Sequence, residues 1–130
     1  MHIDHIAIWT EDLEKEKEFF LKYFDCSAGT KYVNPLKKFS SYFITFSGGA
    51  RIELMKKDDM EGIRKGETPG ITHIAINVGS REKVDNLTSL LEEEGLEIKG
   101  RPRITGDGYY ESVILDPEGN VIELVGGGKS

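Results

Sequence analysis

Two segments of this sequence occur twice, and that duplication constrains the fold to a pair of similar units. Asp4-His5-Ile6-Ala7-Ile8 returns as Thr72-His73-Ile74-Ala75-Ile76, 68 residues on (73 − 5). Arg51-Ile52-Glu53-Leu54 returns as Val121-Ile122-Glu123-Leu124, 70 residues on (123 − 53). Each half therefore carries one His early and one Glu late, both inside short aliphatic runs. Two imidazoles and two carboxylates placed by a repeated frame are the ingredients of a divalent metal site.

Patterning predicts the same element order in both halves. Residues 2–9 read as a strand. Thr10 is the expected cap of an amphipathic helix over 11–24, whose apolar stripe holds Leu13, Phe19, Phe20, Tyr23 and Phe24. Residues 26–34 read as a short irregular strand before Pro35. Strands at 41–47 and 50–56 follow, joined by a two-residue Gly48-Gly49 hairpin turn. In the second half, 71–78 is a strand, Ser80 caps a helix with Val84, Leu87, Leu90 and Leu91 buried, and Gly95 ends it. A strand near 97–103 leads to a Gly106-Asp107-Gly108 loop, then to strands at 109–115 and 120–126 joined by Asp116-Pro117-Glu118-Gly119. Each half is thus βαβββ. The expectation is one α+β domain over 1–130, with repeat one at about 2–56, a polar linker at about 57–70 and repeat two at about 71–126. Its curved sheets would surround a metal-binding cleft.

Side chains on a strand alternate faces, so parity tests the metal reading. His5 shares a face with Ala7 and Trp9, and His73 with Ala75 and Asn77. Glu53 goes with Arg51 and Met55, and Glu123 with Val121 and Val125. In all four cases the bulky aliphatic neighbours take the opposite face, which suits packing beneath the helices. A carboxylate on the other, concave face is costly to enclose unless it is paired or bound to a metal. His2 has no partner in the second half and reads as a surface residue.

Composition narrows the function further. A net charge of −6 with no Lys/Arg stripe argues against nucleic acid. No apolar run approaches the length needed to span a bilayer, and the N-terminus lacks a signal-peptide pattern. The single Cys26 cannot form an internal disulfide and reads as a small packed residue. These features predict a soluble cytoplasmic protein.

The repeated βαβββ frame, with His in the first strand and Glu in the last, resembles the vicinal oxygen chelate superfamily. That group includes glyoxalase I, methylmalonyl-CoA epimerase, extradiol dioxygenases and fosfomycin resistance proteins. The likeness covers residues 2–126. It is carried most specifically by Asp4-His5-Ile-Ala-Ile with its following helix, and by Leu115-Asp-Pro-Glu-Gly-Asn-Val-Ile-Glu123-Leu. The dioxygenase and fosfomycin patterns need only three ligands, and epimerases commonly have an amide where Glu53 stands. A four-ligand set of His5, Glu53, His73 and Glu123 is most similar to glyoxalase I. The resemblance implies one divalent ion per site (Ni, Zn, Co, Mn or Fe) and a homodimer. It departs at Trp9, where bacterial glyoxalase I usually has an Arg for glutathione, and at Lys57, where Asn is common. The glutathione-binding signature is therefore not reproduced, and Lys57, Arg101 and Arg103 are the candidate substitutes.

Such a site would act as a Lewis acid on a substrate with two adjacent oxygens, with Glu53 or Glu123 as catalytic base for proton transfer alpha to a carbonyl. Glyoxalase I uses this step to isomerise a hemithioacetal, a 2-oxoaldehyde–thiol adduct, to a thioester. The expected activity is a metal-dependent lyase or isomerase of glyoxalase I type. The alternatives are an epimerase, an extradiol-type dioxygenase, or an antibiotic-binding resistance protein. Trp9, Met55, Tyr109 and Glu111 are the candidate substrate contacts.

Overall fold

The structure, a computed structural model, describes residues 1–58 and 69–128. The chain divides into two compact units, Met1–Arg64 and Lys65–Ser130. Each unit is a mixed β-sheet with one helix packed against it, so the expected α+β architecture of two βαβββ halves is observed. Residues 59–68, most of the expected linker, lie outside the described residues.

The first unit runs β1 (His5–Trp9), α1 (Leu13–Tyr23), β2 (Ser27–Ala28), β3 (Tyr32–Asn34), β4 (Phe39–Thr45) and β5 (Arg51–Lys57). Its sheet order is β1-β5-β4-β2, with β3 also pairing with β4. The irregular strand expected at 26–34 is therefore two short pieces on one partner. β1 lies parallel to β5, from His5↔Arg51 to Trp9↔Met55, while β4 is antiparallel to β5. Parallel neighbours need a crossover, and α1 begins it. The second unit runs β6 (Ile74–Asn77), α2 (Arg81–Glu93), β7 (Ile98–Ile104), β8 (Tyr110–Leu115) and β9 (Val121–Val125), in sheet order β6-β9-β8-β7 with β6 parallel to β9.

The alternation read from sequence is what fixes these sheets. Ile52 and Leu54 of β5, and Ile122 and Leu124 of β9, are buried with Ile44 and Ile114 of the neighbouring strands. They join Leu13, Phe19 and Phe20 of α1 in one unit, and Val84 and Leu91 of α2 in the other. Each such side chain contributes about 1.5–3 kcal/mol on burial, so a one-residue slip that turned a pair outward would be strongly disfavoured.

Several local expectations differ from what is observed. Asp12, not Thr10, caps α1 by accepting from the Lys15 amide at 3.0 Å. Thr10 is instead buried, and its amide and hydroxyl both donate to the Met55 carbonyl, at 2.7 and 3.0 Å, tying the end of β1 to β5. Gly48-Gly49 sits inside a five-residue connection, 46–50 (50 − 45), rather than forming a two-residue turn. On α1 the buried stripe also includes Glu16. On α2, Leu90 is exposed and Thr88 is buried. Thr88 can turn inward because its hydroxyl donates to the Val84 carbonyl at 2.6 Å and bonds Ser112 Oγ at 2.7 Å.

The signals at the ends of α2 and β8 act as read. Ser80 accepts from the Lys83 amide at 3.2 Å. Gly95, at φ +88°, allows the Gly95 and Leu96 amides to close on the Glu92 and Leu91 carbonyls. Asp116 folds its turn around its own carboxylate, accepting from the Glu118 and Asn120 amides at 2.9 Å and from Asn120 Nδ2 at 2.8 Å. Gly126 follows β9 where the chain meets the start of α2. A Cβ there would lie 2.9 Å from backbone atoms of Ser80 and Arg81.

Candidate metal centre

In the first unit the β1/β5 register brings His5 and Glu53 together on the sheet face away from α1. His5 Nε2 lies 3.7 Å from Glu53 Oε1. The other ring nitrogen, Nδ1, is 2.8 Å from Asp4 Oδ2, which also accepts from Arg51 Nη2 at 2.7 Å. These bonds, the one from His5 first, hold the Asp4 carboxyl down to about 2. Phe43 completes the surroundings. It meets the His5 ring edge-on at 5.3 Å between centroids, and the Arg51 guanidinium stacks on it at 4.2 Å.

The second unit makes the same pair from the same places. His73, just ahead of β6, has Nε2 3.1 Å from Glu123 Oε1 on β9. Its Nδ1 is 2.8 Å from Thr72 Oγ1. A second carboxyl, Glu111 of β8, hydrogen-bonds to Glu123. Burial first, then this bond and the charge of Glu123, raise the Glu111 carboxyl above the ordinary carboxylate range, with Arg103 opposing. A proton shared between two neighbouring carboxyls would relieve their repulsion, and Glu111 is the one whose burial favours holding it.

The four sequence-predicted ligands thus fall into two His–Glu pairs, one per unit. Among the described residues, no group of three or more His, Cys, Asp or Glu side chains is gathered for a metal. Donor chemistry nonetheless fits one. In each pair an oxygen occupies Nδ1 and Nε2 is on the carboxylate side, which is how metal-binding imidazoles are commonly held.

The candidate substrate residues divide. Trp9 and Met55, paired in register, share the His5/Glu53 face, and Trp9 is 38% exposed with its ring edge-on to Phe39. Glu111 is buried against Glu123. Tyr109 is not in the strand expected at 109–115. It lies just before β8 in a turn where its amide donates to Thr105 Oγ1 at 3.0 Å. Arg101 pairs with Glu92 of α2. Cys26 donates to the Phe20 carbonyl at 3.2 Å, and burial pushes its thiol up, as befits a packed residue. No described helix is long and apolar enough to cross a membrane. Sequence reasoning missed Asp4, Arg51 and Thr72 around the imidazoles. The available signal was an oxygen-bearing residue directly before each repeated His.

Comparison with known structures agrees with the fold. A glyoxylase/bleomycin resistance protein/dioxygenase domain from Frankia sp. EAN1pec superposes with a TM-score of 0.84 at 18% identity, covering 98% of each chain. The trypanothione-dependent glyoxalase I of Leishmania major gives 0.78 at 22% identity, over 97% of this chain and 86% of that one. Glyoxalase I from Zea mays gives 0.82 at 20% identity; it covers 99% of this chain, which spans only 46% of the maize protein. No curated protein sequence matches. A family model does, over residues 2–124, and the chain therefore belongs to the Glyoxalase/Bleomycin resistance protein/Dioxygenase superfamily.

Proposed function

We propose that the two His–Glu pairs together hold one divalent metal ion, with His5, Glu53, His73 and Glu123 as ligands, and that the protein is a lyase or isomerase of glyoxalase I type acting as a homodimer. One observation carries this reading. In both halves Nδ1 is engaged by the oxygen of the preceding residue while Nε2 is on the side of the Glu carboxylate. Duplication explains why a His and a Glu recur, and a shared metal ion would give both pairs a common use.

A divalent ion at these ligands would supply Lewis acidity, acidifying a C–H next to a carbonyl and stabilising the enediolate that forms. The chain supplies the rest. Glu53 or Glu123 takes the proton from one carbon and returns it to its neighbour, which moves a hydrogen without net redox. Trp9 and Met55 wall the substrate on the first unit's face. Position 9 holds Trp rather than a cation for a glutathione carboxylate, which weighs against glutathione as the thiol partner of the oxoaldehyde.

The test is isomerisation of methylglyoxal adducts of several thiols by metal-reconstituted protein. Turnover that falls at least a hundredfold in both Glu53→Gln and Glu123→Gln is expected. Oxygen uptake with catechols, and none of this turnover, would replace the lyase by a ring-cleaving dioxygenase.

A further inference from the structure

We propose that Asp4, braced by Arg51, is the positioning residue that fixes the tautomer of His5 for metal binding, and that His73, backed by the Thr72 hydroxyl, is not fixed in this way. The inference rests on the metal reading above for its purpose, but not for its geometry. Asp4 Oδ2 lies 2.8 Å from His5 Nδ1 and 2.7 Å from Arg51 Nη2. An ionised carboxylate only accepts, so Nδ1 must carry the proton, and in the neutral ring Nε2 then carries the lone pair. The 3.7 Å from Nε2 to Glu53 Oε1 agrees, being too long for a hydrogen bond.

Asp4 is itself well placed for this work. β1 and β5 pair His5 with Arg51, and the Arg51 amide donates to the Asp4 carbonyl at 3.0 Å, so the carboxylate is held from its backbone as well as by the guanidinium. Arg51 is in turn held over Phe43, whose edge meets the His5 ring. His5, Asp4, Arg51 and Phe43 form a closed circuit of contacts. The second unit lacks it. Offset by 70, Arg51 and Phe43 become Val121 and Val113. Thr72 Oγ1 can donate to His73 Nδ1 or accept from it at 2.8 Å, so either tautomer is satisfied. The 3.1 Å from His73 Nε2 to Glu123 Oε1 is hydrogen-bond distance, so the Nε2–H form is available there. That form must surrender its proton from Nε2 before this nitrogen can bind a metal.

Two readouts test this on the whole chain. Nitrogen-15 spectra of the imidazoles in metal-free protein report the tautomer directly. His5 is expected as the Nδ1–H form in wild type and as a mixture in Asp4→Asn, with Thr72→Val leaving His5 unchanged. Zinc affinity, measured by competition with a chromophoric chelator, is expected to fall about 10–100-fold in Asp4→Ala. In Thr72→Val the expected fall is less than about fivefold, because a bond that selects no tautomer contributes less of the ligand's orientation. Asp4 is exposed, so its variants should remain folded. A wild-type His5 in the Nε2–H form, or unchanged spectra and zinc affinity in the Asp4 variants, would overturn the proposal. Wild-type protein that binds no zinc would instead overturn the metal reading, and the imidazole spectra would still decide the role of Asp4.

Discussion

The two halves share a frame and differ in nearly everything that surrounds it. His5 and His73, Glu53 and Glu123 stand at matching places on matching strands. Around them, Asp4 corresponds in the repeat to Thr72, Arg51 to Val121, Phe43 to Val113, and Ser41 to Glu111 (111 − 70). Beneath the sheets the divergence continues. Counted from the helix caps Asp12 and Ser80, the eighth residue is Phe20 in one unit and Thr88 in the other. Phe20 packs among aromatics beside Phe19 and Phe24, whereas Thr88 bonds Ser112. Backbone parity and register carry the candidate metal ligands, so the neighbours were free to take two different solutions, one apolar and charge-braced, the other polar.

That contrast is sharpest in the cores. Phe20→Ala should destabilise the first unit by about 3–5 kcal/mol in denaturant unfolding. Thr88→Val should cost about 1–3 kcal/mol, because Ser112 is left buried without its partner. Adding Ser112→Ala should recover most of that loss, since removing both partners removes the desolvation penalty too. A double variant no better than the single would mean that the polar pair does not act as a unit.

A second contrast lies where the last strand leaves each sheet. Gly126→Ala pushes a Cβ into backbone atoms of Ser80 and Arg81, 2.9 Å away, and is expected to cost about 1–3 kcal/mol. The matching position in the first unit is Lys56 (126 − 70) on an exposed strand end, where Lys56→Ala should stay within about 0.5 kcal/mol. Equal effects on melting would erase the distinction.

The smallest expected effect concerns the second carboxyl. Glu111 is raised in the folded chain, so its favourable contribution is present below its ordinary value of 4.5 and is lost as pH rises through the folded value. Glu111→Gln keeps a hydrogen-bond donor without a titrating proton. In metal-free protein the variant should therefore gain stability relative to wild type as pH rises above 4.5. A difference that stays flat with pH would show that Glu111 does not hold a proton against Glu123.

Much of this was legible because strand parity is a local rule. The alternation of Ile52/Glu53/Leu54 and Ile122/Glu123/Leu124 needs no tertiary information to be read. What escaped depends on partners distant in sequence. Thr10 and Asp12 are both good caps, and the choice fell to Asp12 because Thr10 bonds Met55, 45 residues away. Leu90 drew the apolar reading by its residue type, whereas Thr88 lies between Val84 and Leu91 on the buried face and bonds Ser112, 24 residues on. The partners of the imidazoles were in plain view at Asp4 and Thr72. Their role needed the ring orientation, and Arg51 needed the strand register.

The most direct test of the central claim is the metal stoichiometry of the purified, reconstituted protein beside His5→Ala and His73→Ala. If the two pairs serve one ion, elemental analysis will find about one metal per chain in wild type, and little in either variant. Retention of half or more of the metal when one His is removed would mean that the pairs bind independently. No stoichiometric metal in wild type would contradict the account altogether.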